Sequence, residues 1–404
     1  MRITNMLGDM QYAMQQSQQA LATAEMQVAT GRKVNQLSDD PTASATMVIS
    51  LTDAANVDQY TSNVGTLVPK MQTADSAISQ IVTELNTAIT LGTQGANGTS
   101  SAQRPAIASE VAGVLATVVS QANASYSGEY LFAGSATDTP PFVAASTTYT
   151  SANGSASSSL SASTALTAGS ITTIGDASTG ETFHFQAAAG DTVGTLQTAI
   201  ANAVSAGTLS AGTTATINAS GQLSISTNSS TEGIAVSTND AALGSMSATP
   251  DTEVANAYAY VGNSTVNTAQ IANQLSVATN VPGDSLFTTG SNVIGSLSSL
   301  VSALQSGNIT QIGDATSAVS TALNSVNEKR GPLDNTISEM NSEQSFLGQE
   351  TVTLSTQQTG LVGVDMATAA TNLAQAQTQN QAVLAVAAKV LPQSLLNYLS
   401  QPSA

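Results

Sequence analysis

The sequence predicts a mainly α-helical protein with an inserted α+β module. Apolar residues spaced four and three apart form long stripes at both ends of the 404-residue chain, a pattern typical of helices that pair in an antiparallel coiled coil or bundle. The middle of the chain is instead rich in Ser, Thr, Ala and Gly and alternates like short strands. Charge follows the same division, because residues 105–328 contain 13 acidic residues and no Lys or Arg. We therefore expect the two ends to form one long helical structure and the middle to fold differently.

The first helix is predicted over residues 4–30. Gly31 is expected to end it, because glycine readily adopts the left-handed conformation that closes a helix, and Arg32 and Lys33 suit the negative end of the helix dipole. The methionines favour an adaptable interface over a plain core, since thioethers repack readily. The apolar stripe of this helix consists of Ile3, Leu7, Met10, Met14, Ser17, Leu21, Ala24 and Val28.

Asp40 and Pro41 predict the start of a second helix. Aspartate is a favoured N-cap, and proline fits the first helical position because its missing N–H would be unpaired there anyway. The stripe continues to the glycine-rich segment 92–98, so this helix is unusually long, and Pro69 inside it predicts a kink. A third helix is predicted over 103–127.

The central segment is predicted to begin with an extended or loosely ordered connection over the low-complexity residues 145–168. A helix capped by Asp191 is predicted over 191–206. His184 alternates with two phenylalanines and is expected on the outer face of a strand. The strands predicted from alternation are 169–175, 181–187, 214–219, 222–227 and 234–238.

The helical pattern returns near residue 289, where Gly331 and Pro332 predict a kink or break in a long helix. The last helix carries a stripe like that of the first, so the two terminal helices are expected to pair antiparallel. After this stripe comes the apolar tail 395–399. The stripe consists of Met366, Ala369, Leu373, Ala376, Asn380, Val383, Ala387 and Val390.

Composition excludes several classes of function. The net charge of −18 argues against nucleic acid and anionic membranes as partners, since both require a basic surface. The chain has no Cys and one His, which leaves no zinc site, thiol nucleophile or cofactor site to propose, and we expect no enzyme activity. The N-terminus lacks the apolar core of a cleavable signal, and no apolar run is long enough to span a membrane.

Several of these segments resemble the bacterial flagellin family. The resemblance covers about residues 1–142 and 290–404, and it depends on the first stripe, the loop 30–41 and the run from Asp365 to Leu399. The segment Gly128–Gly134, with sequence GEYLFAG, resembles the hook-associated members of the family, the FlgL type. A weaker likeness to the flagellin hook IN module lies within 169–240.

The resemblance implies a layered domain organisation. Residues 1–40 and 360–404 would form a terminal helical-pair layer, and 41–143 with 289–359 a helical rod domain. Residues 144–288 would form a variable, solvent-facing, β-rich insert. Within the 128–134 segment, Tyr130, Leu131 and Phe132 are expected to close the rod's core rather than contact a ligand.

The resemblance also implies a non-enzymatic role in the flagellum, at the junction of hook and filament. The expected partners are further copies of the chain, a neighbouring hook-associated protein, flagellin, an export chaperone and the type III export apparatus. Export would be to the exterior without cleavage of a signal. A filament-forming flagellin is the alternative. An adhesive or ligand-binding insert is a further hypothesis, which a surface pocket would favour, although the sequence offers no aromatic cluster to build one.

The expected assembly interface combines the two terminal stripes with the charged loop that follows the first helix. In that loop, the charges fit an intersubunit contact and a plain helix end with an N-cap equally well. The predicted interface residues are Leu7, Met10, Met14, Leu21, Val28, Arg32, Asp39, Asp40, Leu373, Val383, Val390, Leu395 and Leu396.

Overall fold

A computed structural model describes residues 2–97, 100–152, 159–228, 233–249, 253–288, 290 and 292–399. The chain divides into two compact units. Unit 1 comprises Met1–Ser62 and Ser345–Ala404, and unit 2 comprises Asn63–Gln344. The helices are α1 (Arg2–Thr30), α2 (Pro41–Ala96), α3 (Arg104–Ala122), α4 (Val193–Ala206), α5 (Val293–Ser306), α6 (Ile309–Val362) and α7 (Met366–Leu399).

The strands of the described chain lie between α3 and α5, all in unit 2. They are β1 (Ser125–Tyr126), β2 (Glu129–Tyr130), β3 (Phe142–Ser146), β4 (Thr148–Ser151), β5 (Ile171–Asp176), β6 (Thr182–Gln186), β7 (Thr214–Ile217), β8 (Leu223–Ser226), β9 (Ile234–Thr238), β10 (Met246–Ala248), β11 (Glu253–Tyr260), β12 (Thr268–Ala272) and β13 (Leu275–Ala278). The mainly helical fold with a β-rich insert is therefore confirmed.

The long helices α2 and α6 are amphipathic at a seven-residue spacing. A seven-residue spacing keeps one stripe of a helix facing a partner, which explains why such long helices form here. In α2 one buried row at this spacing consists of Ala43, Ser50, Val57, Val64, Met71, Ile78 and Leu85. In α6 the corresponding row consists of Ile312, Val319, Val326, Leu333, Met340, Leu347 and Leu354.

Of the kink or break predicted at Gly331 and Pro332, the break is wrong, because α6 runs through both residues. The kink stays a prediction. Proline removes one backbone hydrogen bond and costs about 3 kcal/mol inside a helix. Val326 and Leu333, on either side of the pair, are both buried, and this burial offsets the cost. Helix α2 likewise continues past Pro69.

The third helix is shorter than predicted. It ends at Ala122, and Asn123 is its C-cap. The Asn123 side chain hydrogen-bonds the backbone of Phe142, which holds the chain in the turn after the helix. Asn123 Nδ2 donates to the Phe142 carbonyl, and the Phe142 N–H donates to Asn123 Oδ1, both at 2.8 Å. Strand β1 of the following hairpin then occupies residues that were predicted to be helical.

Two antiparallel sheets form the insert. One has the strand order β10-β4-β8-β7, and the other has the order β11-β3-β9-β5-β6. Helix α4 packs with them around a shared apolar core that includes Leu196, Ile200, Ile174, Ile225 and Ile234. The strands predicted at 169–175, 181–187, 214–219, 222–227 and 234–238 correspond to β5 to β9.

The prediction of a loosely ordered connection over 145–168 is wrong for the described residues. Residues 142–151 form β3 and β4, and Tyr149, Leu160 and Leu166 belong to the buried core. Residues 153–158 lie outside the described part of the chain. Asp191 is not the N-cap of α4 either, since Thr192 holds that position and Asp191 instead accepts a hydrogen bond from the Ala188 N–H.

Candidate assembly interface

The terminal helices α1 and α7 pack against each other in unit 1. Gly31 ends α1 with φ +67°, as predicted, and an antiparallel bridge joins Arg32 to Gly363 just before α7 begins. The Lys33 N–H donates to the Val362 carbonyl at 2.7 Å, and the Val364 N–H donates to the Gly31 carbonyl at 3.0 Å. The end of α1 therefore lies beside the start of α7, and the predicted antiparallel pairing is confirmed.

The two predicted stripes form the seam of this helix pair. Its fully buried members are small: Ser17, Ala24, Ala369, Ala376 and Ala387. The larger predicted interface residues, which are Met10, Met14, Leu21, Val28, Leu373 and Val383, are half-buried. They therefore contribute to the seam while retaining surface that a neighbouring molecule can contact. The side chains of Leu7, Val390, Leu395 and Leu396 lie outside the described residues, so the prediction for them is untested.

The acidic residues of the loop after α1 have local partners. The Ala43 N–H donates to Asp40 Oδ1 at 2.9 Å, so Asp40 caps α2 as predicted. Asp39 Oδ2 accepts from the N–H groups of Asn35 and Gln36, each at 2.9 Å, and so closes the loop. These contacts agree with the helix-end interpretation, and an intersubunit role for the loop stays a prediction.

Helices α2 and α6 also contact each other within unit 1. Ser50, a polar member of the α2 stripe, is 2% exposed. Gln358 Nε2 donates to the Ser50 carbonyl at 3.2 Å and to its Oγ at 3.3 Å. A buried polar pair of this kind favours one register, since any slip leaves a polar group unpaired.

The sequence stripes did not identify most of the exposed apolar surface. Eleven of the fourteen large apolar side chains that are exposed in the described part of the chain lie in unit 1. They lie off the stripes for the most part, and a search for apolar residues outside each stripe would have found them. The eleven are Tyr12, Met26, Leu37, Val48, Ile49, Leu51, Phe346, Val352, Met366, Leu384 and Val386.

Two basic side chains of unit 2, Arg330 and Lys70, form ion pairs within the unit. Arg330 pairs with Asp75 through two hydrogen bonds, Nε to Oδ1 at 2.6 Å and Nη2 to Oδ2 at 3.1 Å. These bonds raise the pKa of Arg330 above its usual value. Lys70 pairs with Glu129 at 2.9 Å. Both pairs join elements within unit 2, so these cations serve its own structure.

The GEYLFAG segment contributes two of the three expected residues to the core of unit 2. Leu131 and Phe132 are buried, whereas Tyr130 is half-buried, and the Phe132 ring contacts Phe287 edge to face, with ring centroids 5.3 Å apart. Gly134 has φ +71°, and a side chain there would collide with Asn263. Glycine is therefore required at this position.

His184 lies exposed on β6, on the outer face, as expected, and its Nδ1 lies 3.1 Å from the Thr173 hydroxyl. Desolvation lowers the pKa of this imidazole, and the charge of Asp284 partly opposes the shift. Among the described residues, no three of His, Cys, Asp and Glu are grouped to hold a metal ion.

One described helix, α3, is long and apolar enough to cross a membrane, judged by length and composition alone. Its buried residues include Ile107, Val111, Leu115 and Val118, and the helix packs against α5 within unit 2. A core helix of this kind has the same composition as a membrane span, so its packing accounts for its apolar character.

Two family models match the helical ends of the chain. The model described as the bacterial flagellin N-terminal helical region matches residues 4–137, and the one described as the bacterial flagellin C-terminal helical region matches residues 316–399. Together they cover more than half of the chain. The chain belongs to the bacterial flagellin family.

This flagellin-family chain is similar to two known proteins. It is 32% identical over 118 residues to flagellar hook-associated protein 3 of Escherichia coli K12, and 31% identical over 118 residues to that of Salmonella typhimurium. Each match covers 29% of this chain and 37% of the relative, so it spans little more than a third of the relatives' length. A solved structure, Bacillus cereus FlgL, is 13% identical with a TM-score of 0.43, covering 78% of this flagellin-family chain and 99% of that one.

Proposed function

We propose that this flagellin-family protein is a structural component of the junction between the flagellar hook and the filament. The two relatives are named hook-associated protein 3, and the GEYLFAG segment resembles the same type of protein. In this role the chain forms a ring or short helical assembly with its own copies. It contacts a neighbouring hook-associated protein on one side and flagellin on the other, and it performs no chemical reaction.

The observation that supports assembly most strongly is the exposed apolar surface of unit 1. Among the residues that the structure describes, eleven large apolar side chains face solvent there, against three in the much larger unit 2. Exposed apolar area on this scale is a feature of surfaces that are buried in a complex. Burying it against further copies supplies the free energy for assembly.

Charge supports the same choice of surface. Unit 1 carries eight acidic and four basic residues, so contacts between two copies of it can include opposite charges. Residues 105–328 in unit 2 carry 13 acidic residues and no basic residue. Two copies of that stretch repel each other, which favours an outward position for it and assembly through unit 1.

Within unit 1, the interface includes the residues that the sequence indicates. These are the half-buried seam residues Met10, Met14, Leu21, Val28, Leu373 and Val383, the loop residues Arg32, Asp39 and Asp40, and the terminal positions Leu7, Val390, Leu395 and Leu396. The terminal layer then comprises 1–40 and 360–404, the rod comprises 41–143 and 289–359, and 144–288 forms the outer insert.

Export through the flagellar type III apparatus, without cleavage of a signal, would place the protein outside the cell. The seam between α1 and α7 is built largely on alanines, which bury little apolar area, so this helix pair has low stability in a monomer. Contacts with other chains then complete the ordering of the two helices. An export chaperone that covers the C-terminal helix before assembly fits this weakness.

The proposal is tested by shearing flagella from cells that make the protein and quantifying it against the major flagellin by mass spectrometry. Trypsin is unsuitable because it has no site between Arg104 and Lys329, so a protease that cleaves at apolar residues is required. A trace amount, located at the hook end by antibody labelling, is expected. An amount comparable to the major flagellin would instead identify a filament-forming flagellin, and absence from flagella would overturn both roles.

A further inference from the structure

Unit 2 contains a groove of about 610 Å³ on the outer face of the five-stranded sheet. Its floor is set by strand register, since Thr173 pairs with His184 on one side and with Ser237 on the other. Alternate residues of a strand point to the same face of the sheet, so the next row of side chains on this face comes from positions two residues further along each strand. The floor consists of His184, Thr173 and Ser237 in one row and Gln186, Ile171 and Asn239 in the next.

The walls of the groove are held firmly. One wall is the loop after the GEYLFAG segment, and the other is the loop after β11. Asn263 joins them, because its Oδ1 accepts from the Ser135 N–H at 2.9 Å and its Nδ2 donates to Ser135 Oγ at 2.8 Å. Asn280 Nδ2 donates to the Gly134 carbonyl at 3.1 Å and the Thr265 carbonyl at 2.9 Å, which fixes both loops from behind. A groove with fixed walls loses little entropy when a ligand enters.

The lining of the groove defines the chemistry of an occupant. Carboxamide, hydroxyl and imidazole groups offer both donors and acceptors, and Asp138 at the rim adds one carboxylate. No Lys or Arg is among the lining residues, so an anion gains no charged partner there. Ile171 is 39% exposed in the middle of the floor and offers a small apolar surface.

We propose that this groove binds a neutral sugar residue of a glycan. A hexose presents several hydroxyl groups, each both donor and acceptor, around a ring with apolar C–H faces. Gln186 and Asp138 bond the hydroxyl groups, and Ile171 contacts the C–H face. Within the described part of the chain, the side chains of Gln186 and Asp138 are exposed and have no hydrogen bond to the protein, so both are available to a ligand. This property is independent of the role in the flagellum.

The test is saturation-transfer NMR on the full chain with the methyl glycosides of glucose, galactose, mannose and N-acetylglucosamine. We expect transfer to at least one of them and a fall in affinity of about two- to tenfold in Gln186→Ala and in Asp138→Ala, the range expected for one lost hydrogen bond. Both residues are exposed, so neither variant is expected to disturb folding, and thermal unfolding checks this.

Gln311→Ala is the matched control. Gln311 is an exposed glutamine that lines a separate groove between α5 and α6, and its substitution should leave sugar binding unchanged. The proposal is overturned if no glycoside shows transfer, or if the Gln186 and Asp138 variants bind as wild type does. It is also overturned if phosphate or glucuronate competes as well as the neutral glycosides, because the groove would then select for negative charge.

Discussion

The two units of the molecule differ in how much large apolar surface they leave exposed. Among the described residues, unit 2 leaves three large apolar side chains exposed, and its Lys70 and Arg330 form ion pairs within the unit. The described part of unit 1 has a seam of small residues and leaves eleven large apolar side chains exposed. We expect from this difference that the fold of unit 2 depends little on other molecules, whereas the exposed surface of unit 1 becomes buried on assembly.

The sharpest way to break this comparison is to place a charge in the seam of unit 1. Val383→Asp should abolish incorporation into flagella, because Val383 is half-buried in the monomer and contact with a further copy would bury the added charge without a partner. Unit 2 of the same variant should unfold at the wild-type temperature. The measurements are the amount of protein in sheared flagella and calorimetric unfolding of the purified chain.

Gln375→Asp is the control, since Gln375 is exposed on the same helix. It adds the same charge without burying it and should incorporate normally. Normal incorporation of both variants would show that the seam is not part of the assembly interface.

The complementary substitution removes a large side chain from the aromatic core of unit 2. Phe132→Ala should destabilise unit 2 by about 3–5 kcal/mol, because Phe132 is fully buried and the truncation leaves a cavity. Denaturant unfolding measures the loss. Val266→Ala, at a side chain that is 52% exposed in the same unit, should change stability by less than about 0.5 kcal/mol. Equal effects of the two substitutions would contradict the packing described for this core.

The exposed apolar surface of unit 1 is tested without altering the seam. The double substitution Val48→Ser and Ile49→Ser should leave the free energy of unfolding of the monomer within about 0.5 kcal/mol of the wild-type value, because both side chains already face solvent. Assembly should nevertheless weaken, since the apolar area that would be buried between copies is removed. Sedimentation of the assembled protein measures this, and unchanged assembly would show that this part of the surface stays exposed.

The smallest effect concerns a charge in unit 2. Partial burial, and secondarily the neighbouring Asp75, raise the pKa of the Asp334 carboxyl above its usual value. A carboxyl whose pKa is higher in the folded state destabilises the fold above its unfolded pKa, and the penalty is relieved as pH falls through the raised value. Asp334→Asn should therefore slightly raise the unfolding temperature at pH 7 and leave it unchanged near pH 3. A lower unfolding temperature at pH 7 would show that the contact with Arg330 outweighs this penalty.

Sequence patterns predicted the helical part of the fold well. The stripes of α1 and α7, the Gly31 end and the Asp40 cap all depend on local spacing and local chemistry, which a single sequence displays. Of the predicted stripes, Ser17, Ala24, Ala369, Ala376 and Ala387 are buried in the seam. The patterns did not predict the exposed apolar residues such as Val48 and Phe346, because exposure depends on what packs against a helix rather than on its periodicity.

The insert was harder to predict because long-range pairing decides its structure. Tyr149 lies in a Ser- and Thr-rich segment that resembles a linker, yet it is buried by strands far away in the sequence. Strands β10 to β13 were not predicted at all. Asn123 ends α3 through a bond to Phe142, a partner that local sequence does not indicate. The groove on the five-stranded sheet likewise unites segments that are distant along the chain.

The buried positions of α6 in unit 2 recur every seven residues from Ile312 to Met340. A straight α-helix has 3.6 residues per turn, so such positions drift around it by about 20° per repeat unless the helix winds left-handed about its partner. Contacts of α6 with α2 at Asp75 and beside Gly92 identify that partner. The spacing therefore predicts a left-handed winding of α6 about α2, in which torque of one sense tightens the pair and torque of the other sense loosens it.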